Sequence, residues 1–548
     1  MKKLIVQHKF WFTTLLFLIA SVISIYITGM ICGHIWTFLG MYNDGRFHVM
    51  RMEGLYEAIK HGNNFPIVNM SFLGGFGYIS NVFYSNLWLY PVAWLRLAGL
   101  SMADAFVIYY ILLTFITFWT SFGAFYHVSH RYDKSLLFSF IYTLSTYRLF
   151  DMVRRFDIGE TLTLVFLPIV LLGIYEIFYG DQKQWLFLTA GMVAVIYSHA
   201  LSPILIVIFM LWVILFRLKT LLKEPTRIRS LIYAGFTSLM LTLAYFLPIY
   251  EQTKHTQFKL SNPSIHISQT GMALKDLVNW SVHNDFYVQN IGILMLLIAV
   301  LIPFTIWKVK NAAVRDFAII GEILLFMTTK YFPWKVFENT PLKMIQFPWR
   351  LNMLIMILFA VFLASDAGNW FNSGWKISLM MALTLGLVMV SEVQLIQNHP
   401  DEYSSYTAFD DLDTDSIGGG EEYLPKNASM DELLKTPHHP VVMSGSAEIK
   451  HFQQNQSQVT FQFKNAQAAK VSIPVIAYYG YSDMKSTGDV SKLTMDTKNN
   501  GLGLVKLNGT GTVRVNYYPT FIQKISTLIS IISLMILIVF RFKIRKKE

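Results

Sequence analysis

Apolar runs of about twenty residues recur along this chain, the length a bilayer core demands of a helix. They leave few folds open. A helix satisfies its own backbone hydrogen bonds, so such a chain reads as a bundle that crosses a membrane many times. Composition agrees. Of the 548 residues, 54% are hydrophobic and 14% charged, and the mean hydropathy is +0.43. A soluble chain of this length carries far more charge. The net charge of +11 comes from short basic clusters between apolar runs, the pattern of cytoplasmic loops, so it does not point to nucleic acid. A single cysteine, Cys32, excludes an intrachain disulfide and any cysteine-cluster metal site.

We place about twelve spans by length and apolarity, near 10–31, 103–126, 135–150, 158–179, 185–199, 200–217, 230–250, 289–307, 313–331, 349–365, 376–396 and 521–540. The first is too long for a cleaved signal core and shows no small-x-small site, so it reads as a retained signal anchor. Lys2, Lys3 and Lys9 put the N-terminus in the cytoplasm, and Arg541 through Lys547 put the C-terminus there too. Arg131/Lys134, Lys183, Arg217 through Arg229, Lys308 through Arg315 and Lys376 then fall inside. Arg154 and Arg155 fall outside, against the rule. The stretch 84–100 is short and contains Pro91, so it reads as re-entrant or interfacial. The expected location is the plasma membrane, multi-pass, with both termini cytoplasmic.

Three regions follow. Residues 1–397 read as a multi-span membrane domain with a first outer loop at about 32–100; residues 398–520 read as an extracytoplasmic domain; residues 521–548 are a last transmembrane helix with a basic cytoplasmic tail. The middle region opens on an acidic run, Asp410 through Glu422. It lacks the spacing of an EF-hand loop, so a solvated linker is the plainer reading. Alternation then takes over: Val459, Phe461 and Phe463 against Thr460 and Gln462, and likewise Val471-Ser472-Ile473 and Val513 through Tyr517. With Asn500-Gly501 and Asn508-Gly509 as turn signals, this predicts a small antiparallel β domain.

The outer face gathers the polar chemistry. Asp44 follows the first span and precedes a helical pattern in which Val49, Met52, Tyr56 and Ile59 share one face while Arg51, Glu53, Glu57 and Lys60 lie elsewhere. This predicts an amphipathic helix lying along the surface, with a carboxylate at its head. A carboxylate there can reach a substrate whose tail stays in lipid; it can also simply cap the helix. The second outer loop carries Asp151, Arg154, Arg155, Asp157 and Glu160. Misplaced arginines suit a phosphate, or pair with Asp151 and Asp157. His199 starts a short outer connection, and Arg350 stands at a helix start, where a cation opposes the local dipole. No Walker loop, His-Glu-x-x-His or Gly-x-Ser-x-Gly is present, and the inner loops are too short for a nucleotide-binding domain.

An Asp in the first outer loop, a long series of irregular spans and a second acidic outer loop resemble the GT-C superfamily of polyprenyl-phosphate-sugar glycosyltransferases. Gln346-Phe347-Pro348-Trp349-Arg350, Glu422-Tyr423-Leu424-Pro425 and Ile473-Pro474 with Tyr478-Tyr479-Gly480-Tyr481 resemble the bacterial membrane proteins grouped as "6-pyruvoyl-tetrahydropterin synthase-related" and the neighbouring YfhO-like proteins. That label implies no pterin chemistry here, because the three-histidine zinc pattern is absent. One departure is that Asp44 stands without the paired carboxylate some GT-C enzymes carry in this loop.

The resemblance implies a GT-C-like polytopic α-helical membrane protein with a small extracytoplasmic β domain before the last span. The donor would be a polyprenyl-phosphate-linked sugar and the acceptor a hydroxyl on an extracytoplasmic glycan. Asp44 would take the acceptor proton, with Asp157 or Glu160 as second carboxylate. Arg350, Arg154, Arg155 and His199 would meet the donor phosphate, where a guanidinium offers a two-pronged contact. The pattern admits a divalent metal ion without requiring one. Two other classes stay open: a transporter or flippase for a lipid-linked glycan, which calls for inverted repeats and charges deep inside spans, and a non-catalytic envelope scaffold, in which Asp44 is replaceable.

Overall fold

The computed structural model describes residues 2–27, 44–261, 265–366, 368–399, 417, 421–456, 458–481, 483–484 and 486–545. Cys32 and nearly all of the acidic run from Asp410 lie outside them. Among the described residues, eight helices are long and apolar enough to cross a membrane: His8–Ile25, Met102–Ser129, Ile158–Phe178, Ser202–Lys223, Pro225–His255, Pro348–Ser365, Gly374–Asn398 and Phe521–Val539. These make the chain a membrane protein. Other apolar stretches form shorter elements. The run 135–150 breaks into helices Tyr132–Thr143 and Thr146–Phe150, and 185–199 forms the helix Leu186–Ile196. The stretch 84–100 holds only the eight-residue helix Tyr90–Leu97.

The chain divides into two compact units. The first combines residues 1–45, 103–238 and 265–409. Its central helix, Ile158–Phe178, is buried along most of its length although Pro168 interrupts it. Proline has no N–H to give the carbonyl one turn earlier. Tyr142 fills that gap: its hydroxyl donates to the Leu164 carbonyl at 2.6 Å, and Thr120 donates to the adjacent Val165 carbonyl at 2.8 Å. Inside a bilayer, neighbouring helices must supply such bonds because water cannot.

The second unit combines residues 46–102, 239–264 and 410–548. It holds an antiparallel sheet of six strands: β1 Val441–Gln454, β2 Gln458–Ile476, β3 Asp483–Met484, β4 Thr487–Val490, β5 Thr494–Asp496 and β6 Leu502–Asn516. β2 pairs with β1 on one side and β6 on the other, and the three short strands run in succession along the far edge of β6. The alternation holds: Val459, Phe461, Phe463, Val513 and Val515 are all buried. Their face shares a core with Phe72, Leu73, Tyr78 and Phe83 from the first loop. Backbone bonds tie the two regions, with Ile476 N–H donating to the Phe76 carbonyl at 3.0 Å.

Two local expectations need correction. Asn500-Gly501 turns the chain between β5 and β6, but Asn508-Gly509 lies inside β6. Gly509, at φ 72, faces Ala466 where β2 carries extra residues, so the left-handed backbone serves a bulge rather than a hairpin turn. The helix Gly45–Lys60 is also not a surface helix with one wet face. Arg51 is buried and donates to the carbonyls of Tyr84 and Ser85 at 3.1 and 3.0 Å and to Asn86 Oδ1 at 3.3 Å. A folded-back loop supplies acceptors that periodicity cannot reveal.

Candidate functional site

The helix Thr146–Phe150 runs directly into a π-helical turn, Asp151–Arg155, which ends at Phe156 in the left-handed conformation, φ 62. Phe156 stacks on Phe106 at 4.8 Å, which fixes this unusual exit. Asp157 then caps the helix Ile158–Phe178, its Oδ1 accepting from the N–H groups of Gly159 and Glu160 at 2.9 and 3.1 Å. Asp is a preferred residue at this position. The widened turn and the cap together point Asp151, Arg155, Asp157 and Glu160 at one spot.

Arg155 is its centre. Nη1 donates to Asp151 Oδ1 at 2.9 Å and to Glu160 Oε2 at 2.6 Å; Nη2 meets Asp157 Oδ2 at 2.9 Å. Asp44 Oδ2 approaches Nε at 3.7 Å. The guanidinium also sits 5.2 Å over the Trp349 ring. A second layer holds the carboxylates: the Tyr147 hydroxyl donates to Glu160 Oε1 at 2.6 Å and Thr161 donates to Asp151 Oδ2 at 3.3 Å. Arg155, Asp151, Asp157 and Glu160 are all buried, whereas the Asp44 side chain is 48% exposed. Asp44 is therefore the carboxylate of this group that an incoming molecule can reach.

Four carboxylates around one guanidinium leave an excess of negative charge. Burial, and then the Glu160 charge, push the Asp151 carboxyl well above its ordinary 3.8. Asp151 is thus the carboxyl of the cluster whose protonated form the surroundings favour. Burial disfavours the Arg155 charge, but Asp157, Glu160, Asp151 and Asp44 more than offset this and raise its pKa further.

Other expected residues lie around this centre. His199 is buried; its Nδ1 pairs with Ser202 Oγ at 2.8 Å and its Nε2 lies 3.9 Å from Asp157 Oδ2. Gly159 permits that approach, because a Cβ there would stand 3.1 Å from the Ser198 carbonyl and 3.3 Å from the His199 ring. Arg350 donates from Nη1 to the Ile345 carbonyl at 3.0 Å and makes no ion pair among the described residues; its Nε is buried without a hydrogen-bond partner. Arg154 lies 4.3 Å over the Tyr287 ring, which stacks on His399 at 3.7 Å. So Asp44, Arg155, Asp157, Glu160 and His199 converge, Arg155 on carboxylates rather than on an open phosphate position.

Sequence reasoning passed over Asp151 as a site residue, Tyr147 and Asn352. Asn352 is fully buried, yet neither its amide oxygen nor its nitrogen has a partner. An amide at the head of an otherwise apolar helix, Asn352–Ser365, was the available signal.

Asp151, Asp157 and Glu160 form the one group among the described residues whose ligand atoms, all within 4.8 Å of one another, could hold a metal ion. Arg155 nitrogens stand at the point where all three converge. The arrangement fits a guanidinium, which a metal would have to displace. No protein-family model matches the chain, and no curated protein matches it.

Proposed function

We propose that this protein is a GT-C-type membrane glycosyltransferase that moves a sugar from a polyprenyl-phosphate donor to an extracytoplasmic glycan. What supports the reading is the one partly exposed carboxylate, Asp44, held by Arg155 beside a buried acidic cluster at the head of an apolar helix. In this reading the first and second outer loops face the same compartment, both termini are cytoplasmic, and about twelve apolar segments, short ones included, lie in the membrane.

The acceptor hydroxyl oxygen bonds to the anomeric carbon as the bond from that carbon to the phosphate oxygen breaks, with its electron pair leaving on the phosphate. The hydroxyl proton passes to Asp44. Arg155 Nε, 3.7 Å from its carboxylate, aims Asp44. The departing phosphate needs cations. We assign this role to Arg350, since Arg155 is committed to carboxylates while Arg350 keeps an unpartnered Nε.

The test is transfer of labelled sugar from polyprenyl-phosphate donors to envelope glycan by membranes from cells that make the protein and cells that lack it. Equal transfer by the two, across the donor sugars of the cell, removes the reading.

A further inference from the structure

One well-formed cavity lies away from the acidic cluster. A half-open cleft of about 560 Å³ lies beside the other half of the helix Ile158–Phe178, against Pro168, Leu171, Leu172 and Tyr175. The helix has 21 residues, so its two ends stand about 30 Å apart, the thickness of a hydrocarbon core. The cleft volume is in the range of small-molecule sites.

Its wall is two-faced. Phe125, Phe138, Leu171 and Phe317 make an apolar floor; Ser129, Arg131, Lys134, Asn311 and Asn372 make a polar rim. The charged residues lining it are two cations, Arg131 and Lys134, and one carboxylate, Asp366. Asp366 is fully engaged: it accepts from Lys134 Nζ at 2.6 Å and from the N–H groups of Trp370 and Phe371. Lys134, whose side chain is only 9% exposed, donates to Asp366 and to the Phe371 carbonyl at 2.8 Å. An ammonium carries three donors, so one is left over. Arg131 is paired with Asp133 as Lys134 is with Asp366, so the net positive charge of this region comes from Lys376, bonded to Asn372 at the edge of the cleft.

We propose that this cleft binds an anionic membrane phospholipid, the phosphate at Lys134 and Arg131 and one acyl chain along Phe125, Leu171 and Phe317. An apolar floor under a basic rim, at the end of helices long enough to span, matches an amphiphile of that charge at headgroup depth. The site is independent of the sugar-transfer reading.

The experiment uses the full chain purified in neutral detergent, with thermal unfolding followed as lipid is added. Phosphatidylglycerol raises the Tm by a few degrees and phosphatidylcholine does not. Val128→Trp, which fills the cleft and leaves Lys134 and Asp366 in the sequence, keeps the fold and loses the phosphatidylglycerol shift. Ala124→Phe, one turn earlier, carries the same comparison if the tryptophan variant is poorly folded. Equal shifts by the two lipids overturn the proposal, as does a phosphatidylglycerol shift that survives both filling variants. Displacement of bound phosphatidylglycerol by a polyprenyl phosphate at tenfold lower concentration also overturns it, since the cleft would then belong to the other phosphate amphiphile.

Discussion

Asp44 and Arg155 meet twice. The Asp44 backbone N–H donates to the Arg155 carbonyl at 3.3 Å, and the Asp44 carboxylate faces Arg155 Nε at 3.7 Å. The main-chain bond fixes where Asp44 stands whatever its side chain is; the side-chain contact orients its carboxylate. That separation makes a clean experiment. Asp44→Asn keeps the main-chain bond and the helix-capping capacity. Expression and membrane insertion should survive, while glycan transfer falls roughly 10²–10⁴-fold, the scale of positioned proton transfer. Complementation at near-normal rate would take Asp44 out of the mechanism.

Arg155 is expected to behave as a structural keystone. Arg155→Ala leaves Asp151, Asp157 and Glu160 buried without their cation and should cost about 3–5 kcal/mol. Arg155→Lys should also destabilise, because one ammonium cannot reach all three carboxylates at once. Thermal unfolding of the purified variants decides this; a lysine variant as stable as wild type contradicts it.

The pH response follows from Asp151. Its carboxyl pKa is raised in the folded state, so its contribution to stability is complete at low pH and lost as pH rises through that raised value. Asp151→Asn cannot ionise. The stability of this variant relative to wild type should therefore improve as pH rises above the ordinary carboxyl value of 3.8. A difference that stays flat, or shrinks with rising pH, contradicts the assignment.

Arg350 should separate donor binding from folding. Arg350→Lys keeps the charge and loses the fork, so the donor KM should rise by about tenfold or more with little change in thermal stability. Unchanged donor KM and turnover would make Arg350 an interfacial anchor, resting on Phe347 at 5.3 Å.

Topology can be read with single cysteines in a Cys32→Ser background. Cysteine at Lys223 and at Glu448, both exposed, should label from opposite sides of intact cells with an impermeant thiol reagent. Labelling from the same side would reassign the face of every candidate residue.

The membrane class, the long apolar helices and the β segment were legible in the sequence because each rests on a local period: apolar length for the helices, alternation at Val459, Phe461 and Phe463 for β2. Asp44, Asp157 and Glu160 could be picked as candidate carboxylates near the ends of apolar runs. Their convergence could not. It depends on a π-helical turn at Asp151–Arg155 and a left-handed Phe156, neither of which has a composition signal. Arg51 was misread for a similar reason: its partners, Tyr84 to Asn86, lie far along the chain and come back only through a folded loop.

The second unit also sets an order of events in synthesis. Phe72, Leu73, Tyr78 and Phe83 leave the ribosome early, yet they share their core with Phe461, Phe463, Val513 and Val515, which are made near the end. Translation of the stretch between them takes on the order of tens of seconds. Throughout that interval the early loop presents bare apolar side chains and must be shielded. A ribosome that stops before β2 leaves the loop without its partners in that core, so quality control of this protein can act on its last hundred or so residues while reporting on its first.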